Sequence, residues 1–217
     1  MKHSLESMSS IVEQETRLFC QAELARQALM TLPSTRYTHQ EDPARATNCG
    51  IATAVLQENL LDHHTVQTER LQGAPPKMPS YGYNRRRFNH VVLRHRDLDL
   101  LIDPTYGQLF GLAGIDRNSP NTKPSDYPVN LSLVVDLNDP DQTLEPLVES
   151  LEQASRKEHA QKDQTLAPLR DLGKRTLLTI LRSTYDPENY QVFELDPAQP
   201  NFESIKKIQS LTNDYRK

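Results

Sequence analysis

The stretch FNHVVLRHRDLDLLIDPTYG, residues 88–107, decides the fold because it contains two strand-like runs separated by charged residues. The apolar and β-branched residues at 88–95 and 98–103 are typical of β-strands. Antiparallel pairing of the two runs about the charged residues places His90 opposite Asp103. Directly opposed side chains in such a pair have Cβ atoms about 4.5 to 5.5 Å apart. The sequence therefore predicts a hairpin that brings an imidazole ring to a carboxylate.

The other pairs of this hairpin support the same register. It requires a tight turn at Arg96 and Asp97, or a four-residue loop at 95–98. It also places Arg94 opposite Asp99, which is a pair of opposite charges. A displacement by one residue would move every apolar side chain to the wrong face of the sheet. The opposite face receives only apolar pairs, which are Val91 with Ile102 and Leu93 with Leu100.

The stretch TNCGIATAV, residues 47–55, places Cys49 just before an apolar run that predicts a helix over 49–61. Thr47 or Asn48 is the predicted N-cap of this helix. Unpaired N–H groups at a helix start stabilise a thiolate, and the N–H of the cysteine is a natural donor to an oxyanion. Free cysteine is also often a small buried residue without a chemical role. The hypothesis of a nucleophile therefore depends on the predicted hairpin lying beside this residue.

The rest of the chain predicts further helices and strands around these two stretches. We expect helices at 4–32, over about 143–183 and at 202–215, strands at 129–137 and 190–195, and a long irregular stretch at 65–87. Strands concentrate before residue 140 and helices after it. We therefore expect a catalytic core with an N-terminal helix at 1–140 and a mainly helical C-terminal extension at 141–217.

Composition argues against several classes of protein. Of 217 residues, 36% are hydrophobic and 25% are charged, which is typical of a globular chain. The net charge of −4 argues against a nucleic-acid partner, and no apolar run approaches the length of a membrane span. The first ten residues, MKHSLESMSS, contain no apolar signal core. We expect a cytoplasmic protein, or one secreted as an effector without a conventional signal peptide.

Metal and cofactor motifs are not found in the sequence, and we expect neither a metal nor a cofactor. The two cysteines, Cys20 and Cys49, belong to no CxxC pair. The alternative is a metal site in which His63 and His64 join the histidine and aspartate of the hairpin. Adjacent histidines face different ways on a helix, and their spacing matches no strong zinc signature.

The arrangement resembles the transglutaminase-like branch of the papain-like superfamily. The residues that carry the resemblance are Cys49 before a helix, His90 entering a strand, and Asp103 ending the next strand as Asp-Pro-Thr. Their order and spacing are similar to those of compact members, including arylamine N-acetyltransferases and bacterial toxin deamidases. The resemblance covers about residues 40–115. It implies an α+β fold with a papain-like or transglutaminase-like core, in which the helix carrying the cysteine packs on an antiparallel sheet.

The resemblance also implies roles for these residues. Cys49 would be the nucleophile, His90 the general base and acid, and Asp103 the group that orients the ring. The chain has no tryptophan, a residue that the transglutaminase pattern places near the nucleophile. The remaining candidates to assist the oxyanion are Asn48, Gln40 and Tyr106.

The expected function is cysteine-dependent acyl transfer on a protein amide, by deamidation or cross-linking of glutamine or by cleavage of a peptide bond. The irregular stretch at 65–87 would form part of the cleft, and the arginines at 85–87 would contact an acidic substrate surface. The alternative is a non-catalytic protein-interaction module on the same fold, whose helical C-terminal half presents a partner surface. We expect the leucines of this half to lie in the core, and the alternative is that they form the partner surface: Leu144, Leu147, Leu151, Leu177 and Leu181.

Overall fold

The computed structural model describes residues 4–30, 43–73, 90–106, 131–160, 173–194 and 201–217. These residues form five helices, α1 (Leu5–Met30), α2 (Pro43–His64), α3 (Pro140–Ala160), α4 (Lys174–Thr184) and α5 (Asn201–Tyr215). They also form five strands, β1 (Glu69–Gly73), β2 (His90–His95), β3 (Leu100–Asp103), β4 (Leu133–Asp136) and β5 (Tyr190–Val192). The strands make one antiparallel sheet in the order β4-β3-β2-β1-β5. The predicted α+β class is confirmed.

Most predicted elements lie close to their predicted positions. The helices expected at 4–32 and 202–215 correspond to α1 and α5, and the region expected over about 143–183 contains α3 and α4. The strands expected at 129–137 and 190–195 correspond to β4 and β5, both shorter than predicted. The apolar periodicity of the sequence therefore locates these elements, although it does not fix their ends.

Strands β2 and β3 form the predicted hairpin, but its register differs from the prediction by two residues. Leu93 lies opposite Ile102, so His90 and Asp103 are diagonal neighbours rather than directly opposed residues. The predicted direct pairing was therefore wrong. Each side chain nevertheless lies on its predicted face, because side chains alternate between the two faces with a period of two residues.

The turn of the hairpin explains this difference in register. Residues 96–99 form a four-residue turn, in which the N–H of Asp99 donates to the carbonyl oxygen of Arg96 at 3.3 Å. Asp99 has a φ of 54°, in the left-handed region that aspartate tolerates better than most residues. The predicted loop at 95–98 was therefore displaced by one residue. The predicted charge pair still forms, since Arg94 donates to the Asp99 carboxylate at 2.8 Å.

Strand β1 lies within the stretch that the sequence predicts to be irregular. Its sequence, ERLQG, contains no β-branched or aromatic residue and so carries little strand propensity. It is nevertheless paired on both edges, with β2 and with β5. The prediction of an irregular 65–87 was therefore wrong for β1, while residues 74–87 lie outside the described part of the chain.

Apolar clusters cover both faces of the sheet. On the face that carries His90, Val92 and Leu101 pack with α3 and α4, and on the other face Leu93 and Ile102 pack with α1 and α2. The five leucines that the sequence predicts to be core belong to the first cluster and are at most 8% exposed. The expectation that these leucines are core is therefore confirmed, and they do not form the alternative partner surface. The described residues after 140 thus share a sheet and an apolar cluster with the predicted core.

Gly73 occupies a position in β1 that leaves no room for a side chain. A Cβ atom there would lie 2.5 Å from the carbonyl oxygen of Asn189 and 2.7 Å from the ring of Tyr190. We expect Gly73→Ala to lower the free energy of unfolding by about 1 to 3 kcal/mol, because the β1–β5 pair or the tyrosine ring must move. Urea unfolding followed by circular dichroism measures this loss.

Gly50 in α2 provides the matched control, since a Cβ atom there would meet no atom within 4 Å. We expect Gly50→Ala to raise the free energy of unfolding by about 0.5 to 1 kcal/mol, because glycine is unfavourable inside a helix. Opposite signs for the two substitutions would support the close approach at Gly73, and equal losses would contradict it.

Candidate active site

His90 and Asp103 form a buried pair where β2 begins and β3 ends. The Nε2 atom of His90 lies 2.5 Å from Oδ2 of Asp103, and both side chains are 0% exposed. Diagonal neighbours on one face of a hairpin are within reach of long side chains. The structure therefore brings together the imidazole and the carboxylate that the sequence predicts to be close.

The Asp-Pro-Thr sequence that ends β3 explains how the carboxylate is held. Oδ1 of Asp103 accepts hydrogen bonds from the N–H of Thr105 at 2.8 Å and from its hydroxyl at 3.2 Å, a local turn typical of aspartate. Oδ2 accepts from the ring of His90 and from the hydroxyl of Tyr185 at 2.9 Å. These donors offset the cost of burying a charged carboxylate.

Cys49 approaches the imidazole ring from α2. Cys49 is 5% exposed, and it lies close enough to His90 to raise the pKa of the ring. Because Asp103 engages Nε2, Nδ1 is the ring nitrogen available to the sulfur. The carbonyl oxygen of Cys49 accepts a hydrogen bond from the Thr53 hydroxyl at 2.7 Å, which fixes this turn of the helix. Thiol, ring and carboxylate therefore form one continuous buried chain of contacts.

The position of Cys49 within its helix differs from the prediction. Helix α2 begins at Pro43, so Cys49 lies in the second turn, and neither Thr47 nor Asn48 is the N-cap. Unpaired backbone N–H groups and most of the dipole effect are confined to the first turn of a helix. The predicted stabilisation of a thiolate by a helix start was therefore wrong. The predicted oxyanion role for the N–H of Cys49 was wrong for the same reason.

The electrostatic environment favours a charged imidazole. Burial alone lowers the pKa of His90, but the charge and hydrogen bond of Asp103, together with the contact with Cys49, raise it from 6.5 to about 10. His90 is therefore an imidazolium at neutral pH. A cation beside a sulfur favours the thiolate, and the positive charge beside Cys49 comes from the ring rather than from a helix end.

Two buried tyrosines that sequence reasoning missed lie beside the pair. Tyr185 follows α4 and Tyr190 begins β5. Burial first, and then the charge of Asp103, raises the pKa of both hydroxyls above the usual range. The hydroxyl of Tyr190 donates to the carbonyl oxygen of Thr184 at 2.8 Å. No local motif marks either tyrosine, because Tyr190 reaches the site through the pairing of β5 with β1, and Tyr185 reaches it from the end of α4.

The structure describes the side chain of one of the three predicted oxyanion residues. Gln40 and the side chain of Asn48 lie outside the described part of the chain, as do the arginines at 85–87. Tyr106 is 1% exposed, and burial, followed by the charges of Glu13 and Asp103, raises its pKa. Tyr106 therefore lies close to two carboxylates, and the oxyanion role of all three residues stays a prediction.

Metal binding has no support in the residues that the structure describes. Among them, no group of three or more His, Cys, Asp or Glu side chains is placed to hold a metal ion. The Nε2 atom of His63 lies 3.3 Å from Oδ1 of Asn213, and that of His64 lies 2.9 Å from Oε1 of Glu15. These two histidines therefore contact other side chains instead of joining the hairpin pair.

Comparisons of the chain with protein-family models, with curated proteins and with solved structures found no match. The described helices include none that is long and apolar enough to cross a membrane. Fold and site together define a mixed α+β protein with a buried cluster of cysteine, histidine and aspartate.

Proposed function

We propose that this chain is a cysteine-dependent acyl-transfer enzyme with a transglutaminase-like, papain-like core. The observation that carries the proposal is the buried chain of contacts from Cys49 through His90 to Asp103, with 2.5 Å between ring and carboxylate. Covalent catalysis requires a nucleophile beside a base that a third group orients. The packing of α2 against β2 supports the same core, because it places the helix with the cysteine on the sheet with the other two residues.

The proposed reaction has two steps, in both of which Asp103 holds the ring through Nε2. In the first, the thiolate of Cys49 attacks the carbonyl carbon of an amide and forms a C–S bond. The C–N bond breaks, and the imidazolium of His90 gives its proton to the leaving nitrogen. In the second, water attacks the thioester, the neutral ring takes a proton from it, and a C–O bond replaces the C–S bond. An amine in place of water gives transamidation.

The proposed substrate is a protein amide, either the side chain of glutamine or a peptide bond. Thiol acyl transfer of this kind uses only the side chains of the site and needs no cofactor. The resemblance of the three residues to compact deamidases supports an effector that modifies other proteins, acting in the cytoplasm or after export.

Selective alkylation of Cys49 tests the proposal. Neither Cys49 nor Cys20 forms a disulfide, and both are 5% exposed, so burial alone predicts equal rates with iodoacetamide. At about pH 6 an ordinary thiol is almost fully protonated, and an imidazolium beside a sulfur favours the thiolate that iodoacetamide alkylates. We expect Cys49 to react about 100-fold faster than Cys20 at this pH, as measured by mass spectrometry of the peptides.

The matched variant is His90→Ala, which removes the cation and leaves Cys20 unchanged. We expect this variant to slow Cys49 to the rate of Cys20, because the thiol then lacks a neighbouring charge. Equal and slow labelling of both cysteines in the wild-type chain would exclude the enzyme and favour the non-catalytic interaction module.

Incubation with a glutamine-containing protein, with and without a primary amine, determines the type of reaction. Conversion of glutamine to glutamate indicates deamidation, incorporation of the amine indicates transamidation, and new chain termini indicate proteolysis. Cys49→Ala should abolish whichever product forms, because no other group in the cluster can form the thioester.

A further inference from the structure

We propose that Tyr185 is a positioning residue of this site, whose hydroxyl holds Oδ2 of Asp103 and thereby keeps the ring of His90 directed at Cys49. The inference rests on the proposed function of the site. It assigns a part in that site to the segment after α4, which is distant in sequence from the hairpin.

Tyr185 and His90 both contact the same oxygen atom, Oδ2 of Asp103. The hydroxyl of Tyr185 donates to Oδ2 of Asp103 at 2.9 Å, and Nε2 of the ring lies 2.5 Å from the same oxygen. Tyr185 is 2% exposed, so water does not replace this bond. Its backbone N–H donates to the carbonyl oxygen of Leu181 at 2.9 Å, which anchors the phenol to the end of α4. The Tyr185 hydroxyl is therefore held in place and shielded from water.

A rigid second anchor has a specific effect on the carboxylate. Thr105 holds Oδ1, and the Tyr185 hydroxyl fixes Oδ2, so the plane of the carboxylate is set from both sides. Without the hydroxyl, the buried carboxylate has one donor fewer, and its plane is held from one side only. The ring would then be held less firmly against Cys49, so the hydroxyl should raise the rate at which Cys49 reacts.

The test is the rate of Cys49 alkylation by iodoacetamide in Tyr185→Phe, under the same conditions as for the wild-type chain. We expect the rate to fall about 10-fold, because the ring is less well oriented. Thr184→Val is the matched control, since it removes a neighbouring buried hydroxyl that donates to the carbonyl oxygen of Ile180 at 2.8 Å. It should leave the alkylation rate unchanged.

Proton NMR of the Nε2–H of His90 provides a second readout that does not depend on reactivity. We expect this resonance to shift in Tyr185→Phe and to stay in place in Thr184→Val. An unchanged resonance together with an unchanged alkylation rate in Tyr185→Phe would overturn the positioning role and leave the proposed function intact. Slow labelling of Cys49 in the wild-type chain would instead overturn the proposed function, and the resonance would still decide whether Tyr185 positions the ring.

Discussion

Asp103→Asn should eliminate the rapid alkylation of Cys49. Asparagine has the same shape and still accepts a hydrogen bond from Nε2 of His90, but it carries no charge. Burial, which lowers the pKa of His90, is then not opposed by that charge, so the ring is neutral at pH 7 and no cation faces the sulfur. We expect alkylation at about pH 6 to slow about 100-fold. We expect acyl transfer that depends on Cys49 to fall about 1000-fold.

The pH dependence of stability checks the same ion pair without a substrate. The pKa of His90 is raised on folding from 6.5 to about 10. Its contribution to stability is therefore fully present below pH 6.5 and is lost as the pH rises through about 10. Across this interval we expect the free energy of unfolding of the wild-type chain to fall by about a few kcal/mol, because the folded state releases this proton at a higher pH than the unfolded state. Asp103→Asn should show no such fall. If this variant kept the pH dependence of the wild-type chain, the ion pair between His90 and Asp103 would be contradicted.

Glu15→Ala should produce the largest loss of stability, because Glu15 in α1 is a carboxylate with 0% exposure. It forms an ion pair with Arg216, lies 2.9 Å from Nε2 of His64, and accepts from Nδ2 of Asn59 at 3.1 Å. Removal of the carboxylate leaves a guanidinium and a buried amide without this partner. We expect the free energy of unfolding to fall by about 3 to 5 kcal/mol, as measured by urea unfolding.

Glu149→Ala is the matched control for this buried cluster. Glu149 also forms an ion pair, with Lys174 at 2.7 Å, but both side chains are about half exposed. Water replaces a surface pair at little cost, so the urea midpoint should stay at its wild-type value. The urea midpoint of Glu15→Gln should lie between those of Glu15→Ala and Glu149→Ala, because an amide retains hydrogen bonds but not the charge. Equal midpoints for all three would contradict a role for the cluster in joining α1 to α2 and to the chain end after α5.

The start of α2 shows a signal that the sequence contained and that the prediction did not use. Proline is favoured at the first position of a helix, because its fixed φ suits the helix and its missing N–H would be unpaired there. Pro43 is the first residue of α2, whereas the prediction relied on Thr47 and Asn48 as caps. This stretch contains several residues that favour the start of a helix. The capping preferences of single residues do not show which of them is used.

The sequence by itself determined which side chains share a face. Side chains alternate along a strand with a period of two, so the apolar pattern of the hairpin assigns His90 and Asp103 to one face whether or not the register is displaced by two residues. The apolar periodicity of α1 and α5 is local in the same sense. Such properties follow from backbone geometry within a few residues, so the order of apolar and polar residues is enough to reveal them.

Only the tertiary structure decided what completes the site. ERLQG becomes β1 because neighbouring strands bond both of its edges, not because of its own propensity. That central position brings Tyr190 against Gly73, in the strand next to His90. The end of α4 likewise brings Tyr185 to Asp103, although 82 positions separate them in the chain. Contacts between such distant residues arise from the packing of the whole sheet and its helices, so they leave no periodic pattern in the sequence.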